Sequence, residues 1–152
     1  MGAANRTAIV TLVERTTRCT LLAHLPGGDH DAATVRDAVV AALKVMPPHL
    51  RLTLTWDQGK EMARHAEFAA ALGPTSVYFC DPRSPWQRPT NEHTNGMLRA
   101  YFPKGTDLSV HTADEIARVQ AGLNVRPRRV LGWDSPAERM ATLLGSPSVL
   151  LR

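Results

Sequence analysis

The sequence predicts an α/β domain built on one mixed sheet with helices on both faces. Three observations lead there. Two β-rich runs, 7–14 (TAIVTLVE) and 18–25 (RCTLLAHL), flank Arg15-Thr16-Thr17 and read as a hairpin. Two further apolar runs, 51–56 (RLTLTW) and 76–80 (SVYFC), alternate with helical patterns, as α/β units do. The rest of the chain then reads as helices, giving the order β-β-α-β-α-β-α-α-α.

Each element has a local cause. Pro26-Gly27-Gly28 ends the second strand. Asp29 or Asp31 can cap a helix to about Met46, with Val35, Val39, Leu43 and Met46 at helical spacing. Pro47-Pro48 stops it. Asp57 stands at the C-terminal end of the third strand. A helix from about Lys60 to Leu72 closes at Gly73-Pro74. The loop 81–90 is rich in Pro, Ser and Arg, and a helix begins near Asn91 and ends before Pro103. Thr112 and Glu115 form a capping box for a helix over 113–124. The last helix starts at Ser135-Pro136, carries Glu138 in its first turn, and ends at Gly145.

At 152 residues with 43% apolar content, the chain suits one domain with a real core. No apolar run approaches the ~20 residues of a membrane helix, and the N-terminus has no signal-peptide pattern. Cys19 and Cys80, far apart in apolar stretches, offer neither a disulfide framework nor zinc spacing, so a reducing cytosol is expected.

The net charge is +4, and 15 of the 18 basic residues are Arg. Arginine pairs bidentately with phosphate. The excess lies in the second half: Arg83, Arg88, Arg99 and Lys104 face the single acid Glu92 over residues 83–104, and 126–129 reads Arg-Pro-Arg-Arg. Nucleic acid is one partner this distribution suits, although an Arg bias also follows from GC-rich coding.

Asp57 and Glu92 are the chemically informative pair. Asp57 ends a strand, and open α/β sheets place their sites at that edge. Glu92 sits in the first turn of the helix after the next strand. Two carboxylates converging there suit Mg²⁺, a hard cation that keeps waters for substrate phosphates. Each residue alone has a plainer explanation: a turn former after a strand, and a favourable charge at a helix N-terminus.

The segments TLVERTTR, LTWDQGKEM, YFCDPRSPWQRPTNEHTNGMLRAYFPKGTDLS and LNVRPRRVLGWDSPAE resemble the catalytic core of bacterial transposases of the insertion-sequence-thirty family. That family lies in the D,D,E integrase-like superfamily. The resemblance runs from about Asn5 to Leu144. It implies a ribonuclease-H-like mixed sheet flanked by helices, and DNA cleavage and strand transfer by phosphoryl transfer with Mg²⁺ or Mn²⁺. It also implies DNA as partner (element ends and target), a homo-oligomer in the intact family, and a cytoplasmic, nucleoid-associated location with no membrane. By this resemblance Asp57 and Glu92 are the second and third catalytic carboxylates and the metal ligands, with 34 residues between them. Arg83, Arg88, Asn91, Asn95, Arg99, Lys104, Arg126, Arg128 and Arg129 are the expected DNA-binding residues.

Two departures follow. Pro89 stands where the family has Gly, which implies a stiffer or differently aimed loop. The family's first Asp lies in a segment like Gly-Asp-Leu-Ile on a strand before the hairpin, and no residue here matches it. The expectation is a single incomplete domain over 1–152: an N-terminally truncated core lacking the first strand and the helix-turn-helix region, with little turnover alone. The alternative is a catalytically dead DNA-binding or oligomerising remnant.

Other candidates read more simply. Glu14 belongs to the hairpin tip as a turn-stabilising acid, away from the Asp57 edge. Asp81 is a turn former, and Asp29-His30-Asp31 a helix cap. His93 faces solvent or phosphate, and Lys60 and His65 lie on a solvated helix face. Cys19 and Cys80 are small buried hydrophobes. Trp56, Trp86 and Trp133 are core or loop anchors, with Trp86 the one placed to meet a base or sugar.

Overall fold

The hairpin and the α/β alternation both form. A computed structural model describes residues 7–25, 27, 31–56, 66–81 and 89–145. Its strands are β1 (Ala8–Val13), β2 (Thr20–Leu25), β3 (Thr53–Trp56) and β4 (Ser76–Phe79). Its helices are α1 (Ala32–Leu43), α2 (Ala66–Leu72), α3 (Pro89–Leu98), α4 (Ala113–Asn124) and α5 (Pro136–Leu144). Short 3-10 turns at Pro48–Leu50, Leu108–Val110 and Arg129–Leu131 were not expected from the sequence.

β1 and β2 pair antiparallel, from Ala8 opposite Leu25 to Val13 opposite Thr20. Strand side chains alternate between faces. Ala8, Val10 and Leu12, with Leu21 and Leu25, meet Val35, Val39 and Leu43 of α1, Phe68 and Leu72 of α2, Leu54 of β3 and Met140 of α5. Ile9 and Leu22 face the other way, toward Leu98 of α3 and Ile116 and Leu123 of α4. Helices therefore cover both faces of the hairpin, as the pattern predicts. Phe68 and Leu123 are fully buried, and each such side chain contributes roughly 1.5–3 kcal/mol.

The single mixed sheet does not form among the described residues. β3 and β4 pair in parallel, Thr53 opposite Ser76 through Trp56 opposite Phe79, as a second two-stranded sheet. A cleft of about 810 Å³ separates the two ladders, with Thr11, Leu12 and Val13 on one wall and Thr53 to Trp56 on the other. Strands must approach to about 4.8 Å to share hydrogen bonds, and the cleft keeps these apart. Apolar packing joins the sheets instead, since Leu12, Leu21 and Leu54 share one core cluster. At the far edge of the hairpin, α4 covers β2: Gln120 accepts from the Leu22 N–H, and Asn124 pairs with Thr20.

Helix ends follow their caps. Asp31, one of the two expected candidates, caps α1, its carboxylate accepting from the Thr34 N–H at 2.7 Å. α1 closes at Leu43 rather than Met46, though Met46 stays buried. The predicted start of α2 at Lys60 lies outside the described residues. The Thr112–Glu115 capping box forms, and Ser135 and Glu138 make a second one. α5 ends on Gly145 at φ 68°, a left-handed cap. No described helix is long and apolar enough to cross a membrane.

Candidate active-site cleft

Pro89 opens α3 two residues earlier than expected. Its fixed φ suits the first helical position, where the missing N–H costs nothing. The proline therefore starts the helix, and Glu92 lies in its first turn. Glu92, Asn95 and Arg99 are all exposed, and their i, i+3, i+7 spacing puts them on one side of the helix. Thr94 and Leu98 are buried on the opposite side.

Asp57 follows β3 directly and lies outside the described residues, as do Asp29, His30, Lys60, His65, Arg83, Trp86 and Arg88. Its neighbourhood is described. Thr55 and Trp56, just before Asp57, line the cleft between the two ladders. Thr90 and Asn91, just before Glu92, line the same cleft. In parallel pairing, both strands end at one edge, where the Cys80 N–H donates to the Trp56 carbonyl at 2.9 Å. Among the described residues, no three or more His, Cys, Asp or Glu side chains gather as metal ligands.

The hairpin tip forms another wall of this cleft. The Arg18 guanidinium donates to the Thr90 hydroxyl, tying the tip to the start of α3. Arg18 sits at φ 61°, in the left-handed region that a side chain rarely adopts. Glu14 also lines the cleft. Its carboxylate accepts from the Thr16 N–H at 2.9 Å, and from the Thr17 N–H and hydroxyl at 2.6 Å each. Burial pushes its pKa up, but hydrogen bonds from Thr17 and Thr16 outweigh this and leave it below the ordinary value. Glu14 thus stabilises the turn, as expected. Cys19 and Cys80 are both buried thiols. Burial, and then the Glu14 charge, raise the Cys19 pKa to about 11. The Arg18–Thr90 tie went unread in the sequence; its partners stand 72 residues apart with no local signal.

The basic residues divide into two kinds. Lys104, Arg126 and Arg129 are exposed, like Arg99, while Asn91 is half-buried in the cleft wall. Arg126 donates to the Tyr101 hydroxyl and stacks over its ring at 5.6 Å. Arg128 is built into the structure instead. It donates to the Met97 sulfur of α3 and, at 3.0 Å, to the Leu123 carbonyl of α4. Its Nε is buried without a partner, and burial followed by the Arg126 charge lowers its pKa. Trp56 packs against the core, whereas Trp133, expected as an anchor, is 68% exposed.

No protein-family model matches the chain. Curated relatives do. The transposase for insertion sequence element IS1086 of Cupriavidus metallidurans is 50% identical over 97% of this chain and 42% of its own length. The transposase InsI for insertion sequence element IS30A of Escherichia coli is 48% identical over 86% of this chain and 33% of its own. The transposase for insertion sequence element IS4351 of Bacteroides fragilis is 38% identical over 98% and 44%. The chain thus spans between a third and just under half of these relatives. Along most of its residues the chain is thus 38–50% identical to transposases of the insertion-sequence-thirty family.

Proposed function

We propose that this chain is the phosphoryl-transfer core of a DNA transposition enzyme, one ribonuclease-H-like domain over 1–152 with Asp57 and Glu92 as catalytic carboxylates. One observation carries the reading: the residues immediately before each carboxylate, Trp56 and Asn91, line one cleft. The relatives named above are transposases, which supports DNA as the substrate.

The donor set fits a hard divalent cation. Glu92 is exposed, and its side chain has no hydrogen-bond or ion-pair partner among the described residues. Asp57 would add a second hard oxygen donor. These two would hold Mg²⁺ or Mn²⁺, which when bound neutralises charge on the scissile phosphate and acidifies the attacking water or 3′-hydroxyl. The chain's own residues then act by position. Arg99 and Asn95, on the Glu92 side of α3, orient phosphate oxygens. Exposed Lys104, Arg126 and Arg129, with Arg83 and Arg88, bind the DNA backbone. Arg18 holds the helix start that aims Glu92.

The second reading is a DNA-binding or oligomerising remnant without catalysis. The resemblance leaves it open, since it assigns two carboxylates here, Asp57 and Glu92. The test has two arms. Mn²⁺ binding, followed by electron paramagnetic resonance, is expected to be weak and to disappear in Asp57→Asn and in Glu92→Gln. Unchanged binding in both variants overturns the carboxylate assignment. Metal-dependent cleavage of a labelled element end is then assayed, and cleavage at any rate that is lost in Asp57→Asn and Glu92→Gln supports the first reading. Carboxylate-dependent metal binding with DNA binding but no cleavage selects the second reading for the isolated chain.

A further inference from the structure

We infer that Trp133 is a stacking platform for an unpaired nucleobase, on a rigid turn beside the arginine cluster. This inference rests on the DNA reading above.

The indole is displayed rather than stored. Trp133 is 68% exposed, although an aromatic side chain of this size normally buries most of its surface. Its backbone sits at φ 73°, directly after Gly132 at φ 67°. Two consecutive positive φ values are the pattern of a type I′ turn, and the Asp134 N–H closes that turn on the Leu131 carbonyl at 3.4 Å. Gly, Asn or Asp normally fills the second central position. A bulky residue there is an outlier, and such outliers cluster at functional sites.

The turn is held from all sides. The Trp133 N–H donates to the Arg128 carbonyl at 2.9 Å, and the Arg128 N–H donates to the Asp134 carbonyl at 3.0 Å. Leu131 is buried beneath, and Arg139 clamps the turn through the Leu131 carbonyl and the Asp134 carboxylate. A platform fixed in advance loses little freedom when a ligand lands on it.

The surroundings select the ligand. Arg129 is exposed, with no side-chain partner among the described residues, and Arg126 is exposed nearby in sequence. The one acid of the turn, Asp134, is already paired with Arg139. An exposed indole that follows closely in sequence on exposed arginines with no acidic partner among the described residues has the composition of single-strand nucleic-acid sites, where bases stack and cations follow the backbone.

The test uses the 152-residue chain and a labelled oligothymidylate of about 16 nucleotides, beside a blunt duplex of equal length, by fluorescence anisotropy over a salt series. Trp133→Ala is expected to weaken single-strand binding about 5- to 150-fold, the span that stacking of one base gives. The duplex should lose less, and the salt slope should stay unchanged, because no phosphate contact is removed. Trp133→Phe should retain most of the affinity. Trp133→Gly relieves the positive φ, so it keeps the fold while showing the same loss as Ala. Wild-type affinity in Trp133→Ala and Trp133→Gly, with salt-dependent binding intact, overturns the inference alone. A changed oligomeric state in sedimentation with unchanged DNA affinity also overturns it, and makes the indole a chain–chain contact. A wild-type chain with no salt-dependent binding to either probe overturns the DNA reading itself.

Discussion

The side-chain amide of Asn124 pairs with the main chain of Thr20 through two 2.8 Å hydrogen bonds, one in each direction. It accepts from the Thr20 N–H and donates to the Thr20 carbonyl, as the next strand of a sheet would. Gln120, one turn earlier on α4, accepts from the Leu22 N–H at 2.8 Å. An exposed strand edge invites pairing with another chain, and α4 blocks this edge of the hairpin with amides. The same helix carries Leu123 and Ile116 into the cluster with Leu98 of α3. Edge protection and the seating of the Glu92 helix are thus coupled through α4.

The first prediction concerns that pair. Asn124→Ala strands a buried N–H and a buried carbonyl at Thr20, which is itself fully buried. Each orphaned group costs about 1–3 kcal/mol, so urea unfolding should show a loss of roughly 2–4 kcal/mol. Asn124→Asp should be no better, because a carboxylate cannot donate to the Thr20 carbonyl. A loss under about 0.5 kcal/mol, the usual range for surface changes, would mean that water substitutes for the amide.

A 104-residue separation explains why no sequence reading found this contact. Local signals did reveal the local structure. β-Rich runs on either side of Arg15-Thr16-Thr17 identified both hairpin strands, and Thr112 with Glu115 announced α4. The early start of α3 was also readable, since Pro favours the first helical position. Strand pattern does not say which edges meet, so one sheet was expected where a cleft divides two. The start of α3 marked Glu92, whereas the Arg18–Thr90 tie and the burial of Arg128 depend on how distant segments pack. Trp133 departs from the expected anchor: its residue type suggests burial, whereas the side chain is exposed on a turn of positive φ.

Glu14 gives the chain a pH signature. Its folded pKa lies below the ordinary 4.5, so its contribution is fully present above that value. The contribution is lost as pH falls through the folded pKa. Glu14→Gln should destabilise by about 1 kcal/mol at neutral pH, a figure kept small because the site is partly exposed. That difference should shrink as pH falls through the folded pKa and Glu14 takes up its proton. Cys19 acts at the other limb. Held to about 11 against an ordinary 9.0, its thiol favours unfolding between these values as the unfolded chain ionises first. Unfolding curves across pH check both limbs, and a Glu14→Gln effect independent of pH would show that the turn does not need the charge.

The Arg18–Thr90 bond should hold the start of α3. Arg18→Ala removes the bond and keeps the strain at φ 61°. Arg18→Gly removes both, so it should be the more stable variant by about 0.5–1 kcal/mol. Both should speed amide exchange in the first turns of α3 without altering exchange in α5. A double-mutant cycle with Thr90→Val should give a coupling of about 0.5–1.5 kcal/mol. Zero coupling would reduce the contact to a coincidence of neighbouring side chains.

Replacing the arginines of 126–129 one at a time should separate packing from DNA contact. Arg128 bridges Met97 of α3 and the Leu123 carbonyl of α4, and its stem is half-buried. Arg128→Ala should therefore lower stability by roughly 1–3 kcal/mol, through a lost charge-assisted hydrogen bond and lost packing. At a temperature where the variant is fully folded, its salt slope for DNA should equal that of the wild type. Arg129→Ala should do the reverse, leaving unfolding within about 0.5 kcal/mol of wild type and cutting the salt slope by about one phosphate contact. Arg126→Ala should fall between, because the guanidinium is shared with the Tyr101 ring and hydroxyl. Urea unfolding and a salt series of binding isotherms, run on the same three variants, decide the matter. An Arg128→Ala chain of wild-type stability with a reduced salt slope would return that residue to the DNA-contacting surface.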